Sequence, residues 1–356
     1  MYFRILDLSN SEIWGNYLIR LPNKQQDIYY TPGYYQLYED LGDGKALCFL
    51  FEKDENLALY PFLINPINNL NFELNNTYFD IQGAYGYNGV LSSSNDPAFI
   101  SDFYNSFNSF CIQENIIAEF TRFHPILQNE LFSLNDMSTI RDRETVMIDL
   151  KKPYADIWDD DYSSKNRNMI RKAIRLGYIC QIETSPGKDH IDQFISTYHY
   201  SMRQAGAEPY YYFNKDFFNN MFKYLKDKIY LFNILNQTGE IICSSIFLHY
   251  NDYFHYHLSG RNENADNAVN NFLLDSAVKF AQEMGAKLFH LGGGRSNSED
   301  DSLLKFKRNF SGITIPFHIG KRVVNEKVYN EVVRQWENKF PEKVEQYRNM
   351  LLKYRF

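Results

Sequence analysis

Short apolar runs with strand-like character open this chain, and longer segments with helical spacing follow in its second half. Before about residue 150 the runs are KALCFLFEK, NLALYPFLI, FDI, IIAEFTRFHP and TVMIDL. Their length, their Phe, Leu, Ile and Tyr content and the Asn- and Gly-rich stretches between them predict β-strands. A helix is predicted from about Pro97 to Glu114, with its proline in the first turn. In the second half, helices are predicted near 163–177, 189–205, 214–227 and 267–284, and a long charged helix from about Asn325 to Leu351. In the first of these, Met169, Ile170, Ala173 and Ile174 share one face, the basic residues hold the other, and Gly177 is a stop. The strands IYLFNIL, EIICSSIFLHY and DYFHYHLSG, joined by NQTGE and ND, predict an antiparallel meander. KLFHLGGG and ITIPFHIG supply two further strands.

One helical stripe contains an intruder. In SEDDSLLKFKRNFSG, Leu303, Phe306 and Phe310 recur at i, i+3 and i+7. At about 100° per residue, Lys307 falls roughly 40° from Leu303 and about 60° from Phe310, inside the apolar face. Such a lysine either snorkels its stem toward water or holds a charge ready for a substrate.

Composition narrows the class. The 356 residues are 44% hydrophobic and 23% charged, as in ordinary globular proteins. No apolar run approaches the roughly 18 residues that span a bilayer, and MYFRILDLSNSEIWG is not a signal peptide, so a cytoplasmic protein is expected. Cys48, Cys111, Cys180 and Cys243 lie far apart without metal spacing; reduced, buried cysteines and no metal site are expected. The 28 Tyr and 29 Phe supply core area and also stacking walls for sugars or bases. Charge is unevenly placed: residues 1–150 carry 8 Lys+Arg against 20 Asp+Glu, and residues 302–356 carry 12 against 5. With the acid-free segment SSKNRNMIRKAIRLGY, this points to a polyanionic ligand on the second half, held by Arg167, Arg171, Lys172 and Arg175. Solvated basic helix faces account for the pattern equally well.

The element order of the second half is that of a GNAT-type acyltransferase core. The strings FDIQGAYGYNG, EFTRFHP, SSKNRNMIRKAIRLG, YHLSG with NNFLLDSAVKFAQEMGAKLFHLGGG, and LLKFKRNFSG go further. On these, from about residue 60 to 320, the chain resembles the FemAB-like (peptidoglycan bridge-forming, methicillin-resistance-associated) acyltransferases. That resemblance implies an α/β (α+β) fold of two tandem GNAT-like domains packed together. An N-terminal, acceptor-side domain is expected over residues 1–150, and over 151–356 a domain with the catalytic and C-terminal helices. It also implies transfer of an amino acid or acyl group to an amine of a cell-envelope glycan or peptidoglycan-type precursor. No tightly bound cofactor is implied. The donor is aminoacyl-tRNA or an acyl thioester such as acyl-CoA, with tRNA and the inner membrane surface as candidate partners and no DNA. The family's FK pair falls on Phe306 and Lys307. GRNENADNAVNNF lacks the glycines with which GNAT enzymes cradle the CoA pyrophosphate, which counts against acetyl-CoA bound in the usual way. Two alternatives remain: an acyl-CoA or acyl-carrier-dependent N-acyltransferase for a nucleotide-linked amino sugar in polysaccharide biosynthesis, and a non-catalytic glycan-binding protein.

Amide formation from an ester or thioester needs an unprotonated amine, a carbonyl within reach and stabilisation of the oxyanion. Lys307 suits the last role, with Phe306 as the wall beside it. Gly292, Gly293 and Gly294 permit close backbone approach to a ligand or tight packing, and Arg295 follows them. Tyr85, Tyr87 and Asn88 on a glycine-hinged loop suit hydrogen bonding and stacking against a sugar. Arg122, near His124 on the EFTRFHP strand, clamps a carboxylate or phosphate, or forms a buried ion pair with Glu119 or another acid. Tyr256 and His257 lie on opposite faces of one strand, either one able to face the acceptor, with the imidazole as a candidate base.

Overall fold

The computed structural model describes residues 2–356. In chain order the elements are β1 (Tyr2–Asp7), α1 (Ser11–Leu18), α2 (Pro32–Leu41), β2 (Lys45–Lys53), β3 (Asn56–Pro66), β4 (Phe79–Gln82), β5 (Leu91–Ser92), α3 (Pro97–Gln113) and β6 (Ile116–Arg122). Then come β7 (Ser138–Asp149), the single turn α4 (Tyr154–Asp156), α5 (Ser164–Arg175), β8 (Ile179–Glu183), α6 (Lys188–Gln204) and α7 (Lys215–Leu225). The chain ends with β9 (Ile229–Leu235), β10 (Ile241–Tyr250), β11 (Tyr253–Arg261), α8 (Val269–Glu283), β12 (Leu288–Gly293), α9 (Ser302–Arg308), β13 (Thr314–Val323) and α10 (Glu326–Lys339). No helix of the described residues is long and apolar enough to cross a membrane.

Two compact units result, and their boundary differs from the expected division at residue 150. One comprises residues 1–142 and 317–356, the other residues 143–316. The C-terminal segment returns because β13 pairs antiparallel with β6, Ile319 opposite Arg122 through Val323 opposite Ala118. It is fastened by charge: Arg355 reaches Asp80 at 2.8 Å and Arg322 reaches Glu119 at 2.5 Å. Residues 317–356 hold 9 Lys+Arg against 5 Asp+Glu, so part of the basic excess neutralises the acidic N-terminal unit. The expected helix to Leu351 stops at Lys339, because Pro341 cannot donate to a continuing ladder and disfavours helix in the residue before it.

In the N-terminal unit the strand order is β1-β2-β3-β4-β6-β13. Phe49, Phe51 and Phe62 from the sheet pack on Phe99, Phe103, Phe107 and Phe110 of α3. Fully burying a ring of this size contributes about 1.5–3 kcal/mol each. Trp336 and Val332 of α10 fill a second cluster with Ile117 and Tyr354. Helices α1 and α2 escaped the strand-biased reading of the N-terminus; Thr31 caps α2 and Pro32 starts it.

In the C-terminal unit the order is β7-β12-β11-β10-β9-β8, with β11 and β12 parallel and the other neighbours antiparallel. The predicted meander is β9–β10–β11. Its core joins Phe232, Phe247 and Phe254 to Leu273, Ala277, Val278 and Ala281 of α8. Cys48, Cys111 and Cys243 are buried free thiols, and Cys180 is part-buried.

Candidate active site

Strands β11 and β12 pair only over Tyr253–His255 and Leu288–His290. Beyond that point β11 continues beside β10, while Gly292 and Gly293 of β12 oppose Val146 and Thr145 of β7. The parallel ladder therefore ends at His255 and His290, where β12 changes register and Gly292 takes φ +75°. Register also shifts between Ile246 and Phe247 of β10. Bulges of this kind re-aim side chains beside functional sites.

Lys307 occupies the place where the ladder ends. Asp301 caps α9 by accepting from Leu303 N and Leu304 N at 2.9 Å. The buried face of this short helix carries Leu304 and Lys307, with Phe310 just beyond it. Leu303 and Phe306 are only part-buried, so the stripe is turned from its expected centre, and this places the lysine deeper. Lys307 is 6% exposed. Its Nζ donates to Gly293 O at 2.7 Å and lies 5.8 Å from the Tyr256 ring centroid. Burial pushes its pKa down from 10.5 to about 7, against the opposing pull of the Asp301 charge. The chain thus holds a buried amine poised between charged and neutral near neutral pH.

The glycine run is explained by what surrounds it. A Cβ on Gly292 would stand 3.3 Å from Lys307 Nζ, one on Gly293 2.9 Å from Glu144 O, and one on Gly294 2.5 Å from Asp301 Oδ1. Close packing is tightest against backbone at Gly293, while Gly292 and Gly294 face the side-chain ends of Lys307 and Asp301. Arg295 is exposed. His257 lies part-buried on β11; burial, and then the neighbouring His255, push its pKa down to about 3. An imidazole so weakly basic stays neutral at physiological pH and suits hydrogen bonding better than proton removal. Beside Tyr256, Ser245 donates to Ser259 Oγ at 2.5 Å, a hydroxyl pair that sequence reading missed. Burial raises the Tyr256 phenol, and hydrogen bonds to Ser259 and Ser245 act against that rise. The only hint was small hydroxyl residues where strand positions are otherwise bulky.

The basic helix α5 is less available than its composition implied. Arg167 donates to Trp158 O, Asp159 O and Tyr162 O at 2.7–2.9 Å, fastening the preceding turn. Lys172 pairs with Asp266 at 2.7 Å. Arg171 stands 5.4 Å from the Trp158 ring, and Arg175 is exposed. Ile174, expected inward, is 56% exposed, while Asn166 takes a buried position and accepts from Asn271 Nδ2 at 2.7 Å.

In the N-terminal unit, Tyr85, Tyr87, Asn88, Arg122 and His124 do come together. Asn88 is fully buried and structural: its N donates to Arg122 O at 2.7 Å and its Oδ1 accepts from Arg122 N at 2.8 Å. Tyr87 is part-buried with its ring 5.1 Å from His124 and 5.2 Å from Tyr29. His124 is buried, its Nε2 3.4 Å from Asp27 Oδ2. Tyr85 is part-buried, and its carbonyl accepts from Tyr34 at 2.6 Å. Gly86 takes φ +100°, and its missing Cβ makes room for the Tyr29 ring. Asp27, Tyr29 and Tyr34 were not read from the sequence. The ion pair considered between Arg122 and Glu119 does not form: Glu119 belongs to Arg322.

Comparison with known proteins agrees with this architecture. A family model described as an acetyltransferase (GNAT) domain matches residues 162–308. The UDP-N-acetylmuramoylpentapeptide-lysine N(6)-alanyltransferase of Weissella viridescens is 26% identical over 202 residues, 55% of this chain and 58% of that protein. The match thus spans little more than half of that relative's length. The crystal structure of FemX superposes with a TM-score of 0.68 at 11% identity, covering 93% of this chain and 99% of that one. A tandem GNAT protein from the clavulanic acid biosynthesis pathway superposes with a TM-score of 0.52 at 7% identity, over 91% and 98% of the two chains. The fold is that of tandem GNAT-like proteins.

Proposed function

We propose that this chain, a FemAB-like member of the GNAT superfamily, is an N-acyl or aminoacyl transferase that forms an amide on an amine of a cell-envelope glycan or peptidoglycan-type precursor. The observation that carries the reading is the buried Lys307 amine beside Gly293 O and Tyr256, where the β11–β12 ladder ends. An acceptor amine attacks the carbonyl carbon of an ester or thioester, and negative charge grows on the carbonyl oxygen. The ammonium of Lys307 meets that charge in a site with little water, where it counts for more than in solution. The carbon–oxygen or carbon–sulfur bond then breaks, the amide forms, and the amine's proton leaves to solvent or to the departing group. Phe306 walls the site, Tyr256 bounds it from β11, and His257 orients groups as a neutral imidazole.

In the finer reading, the donor is aminoacyl-tRNA and the acceptor resembles the lysine amine of UDP-N-acetylmuramoylpentapeptide named for the Weissella relative. Arg171 and Arg175 are the α5 cations left to meet a tRNA backbone or an anionic membrane surface. The glycine-free stretch before α8 favours tRNA over acyl-CoA, which remains the second donor class. The protein would work in the cytoplasm. Incubation with charged tRNA, acetyl-CoA and amine acceptors, followed by mass analysis, tests the proposal. Added mass on an acceptor, lost in Lys307→Met, supports it; transfer that persists in that variant sinks the assigned role.

A further inference from the structure

Register places four side chains on one face of the N-terminal sheet. Gln82, Phe120 and Lys321 lie opposite one another on β4, β6 and β13, and paired residues point the same way. Arg122 stands two residues beyond Phe120 on β6 and shares that face. Its guanidinium is part-buried, 6.0 Å from the Tyr85 ring centroid and 5.9 Å from that of Phe120. Among the described residues it makes no hydrogen bond or ion pair. Three acids of the same strands and the segment that follows have other partners. Asp80, on the same face, accepts from Arg355 Nε at 2.8 and 3.0 Å. Glu119, on the opposite face, is held by Arg322, and Glu130 lies 3.4 Å from His318.

A lysine in this position could shed its proton, but a guanidinium stays charged at every relevant pH. Half-withdrawn from water and without a counter-ion, it is a charge awaiting an anion. Lys321 adds a second cation, its Nζ tethered to Asn349 O at 2.5 Å, and the Gln82 side-chain amide carries a donor. The Tyr85 ring flanks the guanidinium on one side, and Phe120, which also packs on the Trp336 cluster, flanks it on another.

We propose that Arg122 anchors an oxyanion subsite, for a carboxylate or phosphate carried by a sugar that stacks against Tyr85. The anionic sugar is the acceptor only if the transferase reading holds; the subsite itself does not depend on transfer.

The test uses N-acetylmuramic acid, N-acetylglucosamine 1-phosphate and uncharged N-acetylglucosamine, titrated by calorimetry or NMR into the full chain. The native protein should bind one anionic sugar at least tenfold more tightly than the neutral one, and the sugar that answers separates carboxylate from phosphate. Arg122→Gln should lose that tenfold preference with its melting temperature unchanged. Arg122→Lys, which keeps charge without the planar fork, should retain the preference at severalfold weaker affinity. Undiminished anion preference in Arg122→Gln, or no preference in the native chain, overturns the subsite. Normal Arg122-dependent binding in a protein that transfers nothing to any amine overturns the transferase reading alone.

Discussion

Replacing Lys307 by methionine should abolish transfer and, at pH 6, make the protein more stable. Burial pushes the native amine down to about 7 in the folded chain from an ordinary 10.5. Between those values the unfolded chain binds more protons than the folded one, so native stability rises with pH across the window. Below the window the penalty of burying the charge is complete, and at 1.36 kcal/mol per pH unit it is about 5 kcal/mol. Methionine matches the stem without the charge. It forfeits the hydrogen bond to Gly293 O, a charge-assisted bond of about 1.5–3 kcal/mol. The variant should therefore be about 2 kcal/mol more stable at pH 6, and that advantage should vanish by pH 9.5, where the pH nears the unfolded value of 10.5 and the remaining penalty of about 1.4 kcal/mol is offset by the lost hydrogen bond. Guanidinium unfolding of both proteins at the two pH values measures the difference. Transfer should fall about 10²–10³-fold, the usual cost of one oxyanion donor. A variant less stable at pH 6, with the gap unchanged at pH 9.5, would show that the amine carries no burial penalty. A variant with native turnover would remove Lys307 from the chemistry.

Other perturbations probe neighbouring parts of the argument. Because the cation is the working form, the Lys307-dependent limb of the pH–rate profile should descend as pH rises through about 7, and a limb rising through that pH with no later descent would assign the neutral amine instead. Gly292→Ala forces a side chain into φ +75° and sets a methyl 3.3 Å from Nζ. It should cost about 1–2 kcal/mol of stability and lower kcat more than it raises KM; thermal melts and steady-state kinetics check both, and unchanged kcat would separate the glycine from the lysine. Arg322→Met strands the buried Glu119 carboxylate and should destabilise the N-terminal unit by about 3–5 kcal/mol in chemical unfolding. If tRNA is the donor, converting Arg171 and Arg175 to Gln should reduce the salt dependence of its binding by about one phosphate contact each, and an unaltered slope would place the tRNA elsewhere.

The two candidate cations differ in how far the sequence could reveal them. Lys307 was legible because helical periodicity is local: 100° per residue put it inside an apolar face, and a shift of the stripe toward Leu304 only deepened it. What could not be read was the end of the parallel ladder beside it, since that depends on β12 parting from β11 after His290 while it stays paired to β7, a strand about 140 residues away in sequence. The division into units was hidden for the same reason: nothing near Phe317 announces that β13 will pair with β6. For Arg122 the local rule was available and decisive. Residues 119 and 122 are an odd number apart on one strand, so alternation sends their side chains to opposite faces, and the ion pair considered between them does not form. A part-exposed arginine without an acid beside it on its own strand pairs with a distant acid, stacks on rings, stays solvated or meets a ligand. Arg322 takes Glu119 from 203 residues away, and Arg355 takes Asp80 from 275. With both acids held by other arginines, the Tyr85 and Phe120 rings are what stand beside Arg122, and the anion proposed for it comes from a ligand.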